Sequence, residues 1–360
     1  MAKSLLFLPD ISGFTNFVNH TELEHSQHII SELLEILINA NKLEMTLAEI
    51  EGDALFFYKE NSIPPIAKII DQAKVMYQQF HQHLRQYEYQ RICQCGACQT
   101  AQELELKFVV HAGEINFIQL QGFKKPHGKE VILVHRLMKN KVPINEYLLL
   151  TNSVKQDKYT TEPPQVSFRE LQDSYDAGTI AYQYADILVF QEDLSELLPL
   201  NTGIETKDPI VAKIRIDRPA KELFELISNF RFRALWNTSA KFLYQEDKVN
   251  RLGSTHVCII EDRQIHFETI TKLNQKDQMI YGEKTTDIPL LKQASSYFTV
   301  TEDNPGSWLT VELHMVPKNF FGWLAKPFMK RQFKKNGVNL INTLKEVAES
   351  RADEKLEESP

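Results

Sequence analysis

The apolar pattern of this chain changes its period once, at the polar, turn-forming stretch FQEDLSELLPLNTGIETKDP (residues 190–209), and that change limits the chain to a two-part α+β fold. Before it, short apolar runs alternate with long helical patterns; after it, alternating strands follow one another and end in one long helix. With 360 residues, each part is long enough to bury its own core. We read a first domain at 1–190, a linker at 191–207, a second domain at 208–350, and a disordered tail at 351–360 with too little apolar surface to order itself.

In the first part the spacing predicts a strand at 4–9, helices at 21–40 and 64–89, and a hairpin from 46–50 and 54–58. Strands at 105–111 and 114–120, a helix at 129–139 and strands at 147–151 and 180–190 follow, giving a sheet with helices on one face. Thr21 and Glu24 have capping-box spacing for the first helix. In the second part IVAKIRI, THVCII, IHFETI, SYFTVT and LTVELHMV alternate as half-buried strands, RPAKELFELISNF is a helix with Pro219 near its first turn, and a helix spans 319–348. A curved antiparallel sheet around that helix would enclose an apolar cavity.

Composition excludes several classes. No apolar run approaches the roughly 18 residues of a membrane-spanning helix, and Pro9 and Asp10 interrupt the N-terminal apolar patch, so neither a spanning segment nor a signal peptide is expected and the location would be cytoplasmic. Residues 1–200 carry 17 Lys and Arg against 26 Asp and Glu, which argues against nucleic acid as a partner of that half.

Asp10 and Asp53 each end an apolar run at a glycine-containing turn, in LFLPDISGF and AEIEGDALFFY. Aspartates favour turns for their own hydrogen bonds, but two of them at the rims of neighbouring strands would also supply the carboxylate pair that Mg²⁺ or Mn²⁺ takes beside substrate phosphates. Gly13 would let backbone N–H groups approach a polyphosphate.

The order F-x-P-D-I-S-G-F-T, helix, E-x-x-G-D-A-L-F-F, VVHAGEI, GKEVILVHRL resembles the class III adenylate and guanylate cyclase catalytic domain, a ferredoxin-like fold, over about residues 1–190. The second part resembles the START-like, or SRPBCC, helix-grip domains that bind apolar ligands, and the pairing resembles an uncharacterised cyclase-related bacterial family. The resemblance implies that Asp10, Asp53 and the Ile11 carbonyl bind metal and that Gly13, Phe14 and Thr15 cradle the triphosphate. It further implies that Glu49 reads the base, favouring GTP over ATP, and that Arg136 stabilises transition-state charge across a homodimer interface. The chain departs from the pattern at the second base-reading position, Lys125, and at Ile132, where the family's ribose-orienting asparagine stands. It also has no lysine between Lys158 and Lys207, where the family grips a phosphate. These losses imply weak or absent cyclisation, hence a metal-dependent nucleoside triphosphate-binding signalling protein coupled to an apolar-ligand domain, or alternatively an active guanylate cyclase, or a carrier whose first half only dimerises.

Cys93, Cys95 and Cys98 suit a shared Zn²⁺ with His81, His83 or His111 as fourth ligand, a redox pair, or inert thiols; His20, His25 and His28 read as solvated. The terminal helix interleaves Phe320, Phe321, Trp323, Phe328 and Phe333 with lysines and Arg331, a pattern that suits an anionic membrane but is expected here to pack on its own sheet.

Overall fold

The computed structural model describes residues 2–21, 23–154, 166–175, 178–195, 203–238, 241–245, 250–260, 262–272 and 278–350. The tail at 351–360 and residues 196–202 of the expected linker lie outside them. The fold is mixed α+β, and the chain divides into two compact units, residues 1–88 with 96–197 and residues 89–95 with 198–360. The short 89–95 stretch belongs with the second unit because Ile92 is buried in that unit's core and the Gln90 carbonyl accepts the Leu252 N–H at 2.9 Å.

The first unit runs β1 (Ser4–Ser12), α1 (Phe14–His20), α2 (Leu23–Asn39), β2 (Thr46–Glu51), β3 (Ala54–Lys59), α3 (Ile66–Tyr89) and α4 (Gly96–Thr100). It continues with β4 (Glu105–Gly113), β5 (Asn116–Leu120), β6 (Phe123–His127), α5 (Lys129–Leu137), β7 (Tyr147–Thr151), β8 (Phe168–Tyr175) and β9 (Gly178–Asp186). Seven strands form one sheet in the order β2-β3-β1-β4-β7-β9-β8, and β5 pairs with β6 separately. Among the described residues only β4 and β7 pair in parallel, because the β5–β6 hairpin and α5 supply the crossover that a parallel pair needs.

Two expectations change here. A short helix that was not expected, α1, precedes the one read at 21–40: Thr21 ends α1, its hydroxyl donating to the Phe17 carbonyl at 2.7 Å, and the expected helix runs as α2 from Leu23 to Asn39. The sheet is also covered on both faces at its centre: Leu6 and Leu8 pack with Leu133, Val134 and Leu137 of α5, while Leu5, Phe7 and Ile11 on the opposite face are buried too. A carboxylate at the end of such a strand is therefore partly desolvated.

The second unit runs β10 (Ile210–Ile216), α6 (Ala220–Ser228), α7 (Arg233–Trp236), β11 (Lys241–Gln245), β12 (Thr255–Ile260), β13 (Arg263–Ile270), β14 (Gln278–Thr285), β15 (Leu291–Asp303), β16 (Gly306–Pro317) and α8 (Phe320–Ser350). Its sheet is wholly antiparallel, ordered β10-β16-β15-β14-β13-β12-β11. Alternation on β16 turns Leu309 and Val311 toward a core shared with Phe224, Trp236, Leu344 and Ala348, so the C-terminal half of α8 packs on the sheet. Inside that core the Arg233 guanidinium pairs with Glu283 and hydrogen-bonds Tyr281 at 3.0 Å, a buried ion pair that the apolar-cavity expectation did not include. At its other end α8 is capped by Asn319, whose side-chain oxygen accepts the Gly322 N–H at 3.0 Å.

Candidate functional site

Asp10 and Asp53 are brought together by the β1–β3 ladder: Asp10 pairs in register with Ala54, and the Ile11 N–H donates to the Asp53 carbonyl at 3.1 Å. Gly13 follows with φ +87°, a left-handed conformation that glycine adopts without strain and that turns the chain from β1 into α1. Phe14 and Thr15 begin α1, Phe14 half-buried and Thr15 exposed.

A third group was missed from the sequence. Lys107 lies opposite Asp10 in the β1–β4 register, and its Nζ is 2.8 Å from Asp10 Oδ2. Burial raises the Asp10 pKa above the ordinary carboxylate value despite the pull of Lys107. Burial and then the Asp10 charge raise that of Asp53. Burial works against the Lys107 ammonium, but the charge and hydrogen bond of Asp10 outweigh it and the net shift is upward. Two partly buried carboxylates thus share one ammonium, and the local charge is one short of neutral. The signal was a lone lysine inside the apolar strand ELKFVVHAG, a position that demands a buried partner.

The two base-reading candidates meet each other. Glu49 on β2 forms an ion pair with Lys125 on β6, and the hydrogen bond from Lys125 lowers the Glu49 pKa. An incoming base would have to exchange with that ammonium. On α5, Arg136 is half-buried and Ile132 is 53% exposed, more than an isoleucine with a packing role would be.

A second constellation gathers the cysteines. His25, Cys93, Cys95 and Cys98 each offer a ligand atom, all within 4.8 Å of one another, with the three cysteines buried and His25 Nδ1 3.6 Å from Cys98 Sγ. His25, expected to be solvated, is thus the histidine of the group. The expected donors are held elsewhere: His81 by Glu146 at 2.6 Å, His83 by Glu32 at 3.0 Å and His111 by Glu130 at 2.8 Å. His25 lies 68 positions before Cys93, so only the fold reveals the set.

A family model described as a protein of unknown function (DUF2652) matches residues 30–147. The chain is 37% identical over 127 residues to the uncharacterized protein Rv2561/Rv2562 of Mycobacterium tuberculosis (strain ATCC 25618 / H37Rv), covering 35% of this chain and 59% of that relative. Among solved structures it is similar to the guanylate cyclase domain of RhGC from Catenaria anguillulae in complex with GTP, at 14% identity, 51% of this chain, 96% of that chain and a TM-score of 0.36. It is also similar to the adenylyl cyclase CyaB from P. aeruginosa, at 17% identity, 51% and 94% coverage and a TM-score of 0.36. At such scores the side chains of the site weigh more than the superposition. No helix among the described residues is long and apolar enough to cross a membrane.

Proposed function

We propose that the first unit binds a nucleoside triphosphate together with Mg²⁺ or Mn²⁺ at Asp10 and Asp53, as a cyclase-related signalling protein with weak or no turnover. The observation that carries this reading is the pair itself: Asp10 on β1 and Asp53 in the turn that opens the neighbouring β3, both with raised pKa values, beside a glycine turn. Burial, and for Asp53 also the Asp10 charge, makes the ionised carboxylates costly, and a divalent cation bridging to phosphate oxygens would offset that cost. Ile132 in place of a ribose-binding amide supports weak turnover, since a hydrocarbon cannot orient a sugar hydroxyl. GTP is favoured over ATP because Glu49, once released from Lys125, would accept the guanine N–H groups. The cyclase resemblance further implies a homodimer with Arg136 serving the partner's acidic pair.

The second unit, with its antiparallel sheet and terminal helix, is proposed to be a START-like domain that binds an apolar small molecule. The His25, Cys93, Cys95 and Cys98 set suits Zn²⁺, which takes four such ligands tetrahedrally. A closed four-ligand site leaves no open position, so the zinc would hold structure and perform no chemistry.

Calorimetric titration with GTP and ATP, with and without Mn²⁺, tests the first reading, with cyclic product assayed in parallel. GTP binding that requires metal and disappears in Asp10→Asn is expected. Metal-independent binding, or binding unchanged in that variant, would show that the Lys107 pair is structural; brisk cyclisation by the wild type would overturn the claim of weak turnover.

A further inference from the structure

The N-terminal half of α8 has an apolar face that none of the described residues covers. Phe320, Phe321, Trp323, Leu324 and Phe328 are 63–73% exposed, and Leu290, whose carbonyl lies against Gly322, is 42% exposed. The cause is visible along the helix: packing on the sheet begins at Met329 and Phe333, which meet Leu313 and Met315, and continues through Ile341, Leu344 and Ala348. Among the described residues, the first two turns meet the rest of the unit closely only at Gly322, against Leu290 and Pro317. Scattered exposed apolar residues are ordinary, but five large ones within nine positions of one helix are not.

The charge around this patch selects its occupant. From Leu313 to Lys345 the chain contains seven Lys or Arg and no Asp or Glu. Arg331, Lys334 and Lys335 are exposed on α8 just beyond the aromatic cluster, and Lys318 is exposed just before it. Aromatic rings at a helix tip flanked by cations match the interface of an anionic bilayer, where rings sit at headgroup depth and ammonium groups meet lipid phosphates.

We infer that the exposed N-terminal half of α8 docks the second unit onto an anionic membrane surface, inserting Phe320, Phe321 and Trp323 and holding the headgroups with Arg331, Lys334 and Lys335. The contact is peripheral and reversible. It is independent of the nucleotide site, so it stands or falls separately from the proposed function.

The test is co-sedimentation of the full chain with vesicles of phosphatidylcholine alone and of phosphatidylcholine with about 30% phosphatidylglycerol, at low and high salt. Tryptophan emission is read on the same samples, because Trp323 is 64% exposed and Trp236 is fully buried. The protein should bind only the anionic vesicles, with a blue shift that is absent in Trp323→Phe, and should be released by salt. Phe320→Ser combined with Phe321→Ser should weaken binding roughly tenfold or more while thermal unfolding stays unchanged, since those side chains are already in water. Each of Arg331→Gln, Lys334→Gln and Lys335→Gln should weaken it about fivefold at low salt. No binding to anionic vesicles, equal binding to neutral ones, or full binding by the double serine variant would overturn the inference. So would a concentration-dependent dimer that the double serine variant abolishes and that does not bind vesicles, which would assign the patch to a second copy of the chain.

Discussion

Lys107 and Asp10 face each other across the β1–β4 ladder with Nζ and Oδ2 2.8 Å apart, which sets a lysine ammonium beside the carboxylate proposed to hold a divalent cation. A cation binding there must either displace that ammonium or share the carboxylate with it. Asp53, whose pKa the Asp10 charge helps to raise, is the carboxylate left unbalanced.

Replacing the ammonium should therefore make the site depend on added metal. Lys107→Met would leave two partly buried carboxylates without a counter-charge, a loss of the order of 2 kcal/mol without metal. Mn²⁺ should restore that loss, so the Mn²⁺-induced rise in thermal midpoint should be larger in the variant than in the wild type. Equal rises in both proteins would mean that Lys107 does not compete with the cation.

Cation binding should also carry a pH signature. Both carboxylates have pKa values raised above 3.8, so as pH falls they take up protons, and release Mn²⁺, earlier than ordinary aspartates would. Without metal the sign is opposite: a raised carboxylate pKa means the folded state binds protons more readily than the unfolded one, so these groups add stability as pH falls through that range. On one pH series the Mn²⁺ affinity should fall there, while the metal-free stability of the wild type relative to Asp10→Asn, a difference that cancels the other titrating groups, should rise. A parallel fall in both would show that the acidic pair controls neither.

Much of this was legible in sequence because local periodicity carries it. The runs around Asp10 and Asp53 read as strand ends, and the ladder sets Asp10 opposite Ala54, the residue after Asp53. What escaped depends on cross-strand register or distant packing. Lys107 opposes Asp10 only once β4 is aligned with β1, and His25 reaches Cys98 only because α2 lies against α4. The outer aromatics of α8 misled for a related reason: periodicity identifies an apolar face but cannot say where the sheet beneath it ends.

The cysteine set gives a prediction of composition. Purified protein should contain about one zinc per chain, and His25→Ala should lower retention and thermal midpoint more than His83→Ala, since His83 pairs with Glu32. Metal analysis against a chelator gradient measures this. Zinc-free protein whose three thiols titrate readily with the fold intact would remove the site.

Acid should weaken the second unit through His256. Its imidazole is 1% exposed, with ring centroids 4.4 Å from Phe230 and 5.3 Å from Phe267, and it shares its surroundings with both Arg233 and Glu283. Burial, then the Arg233 charge, lower its pKa from 6.5 to about 3. Glu283, with Oε1 3.5 Å from His256 Nε2, does not offset this because its carboxylate is committed to Arg233. Between those pH values the unfolded chain holds a proton that the folded one refuses, so this contribution is complete above pH 6.5 and is lost as pH falls, by about 1.4 kcal/mol per unit. Denaturant unfolding followed by emission of the buried Trp236 should show that slope, and His256→Gln should flatten it at some cost in stability at pH 7. A wild-type stability indifferent to pH from 6.5 down to about 4.5 would mean that the imidazole gains a proton without unfolding, by recruiting Glu283 from Arg233.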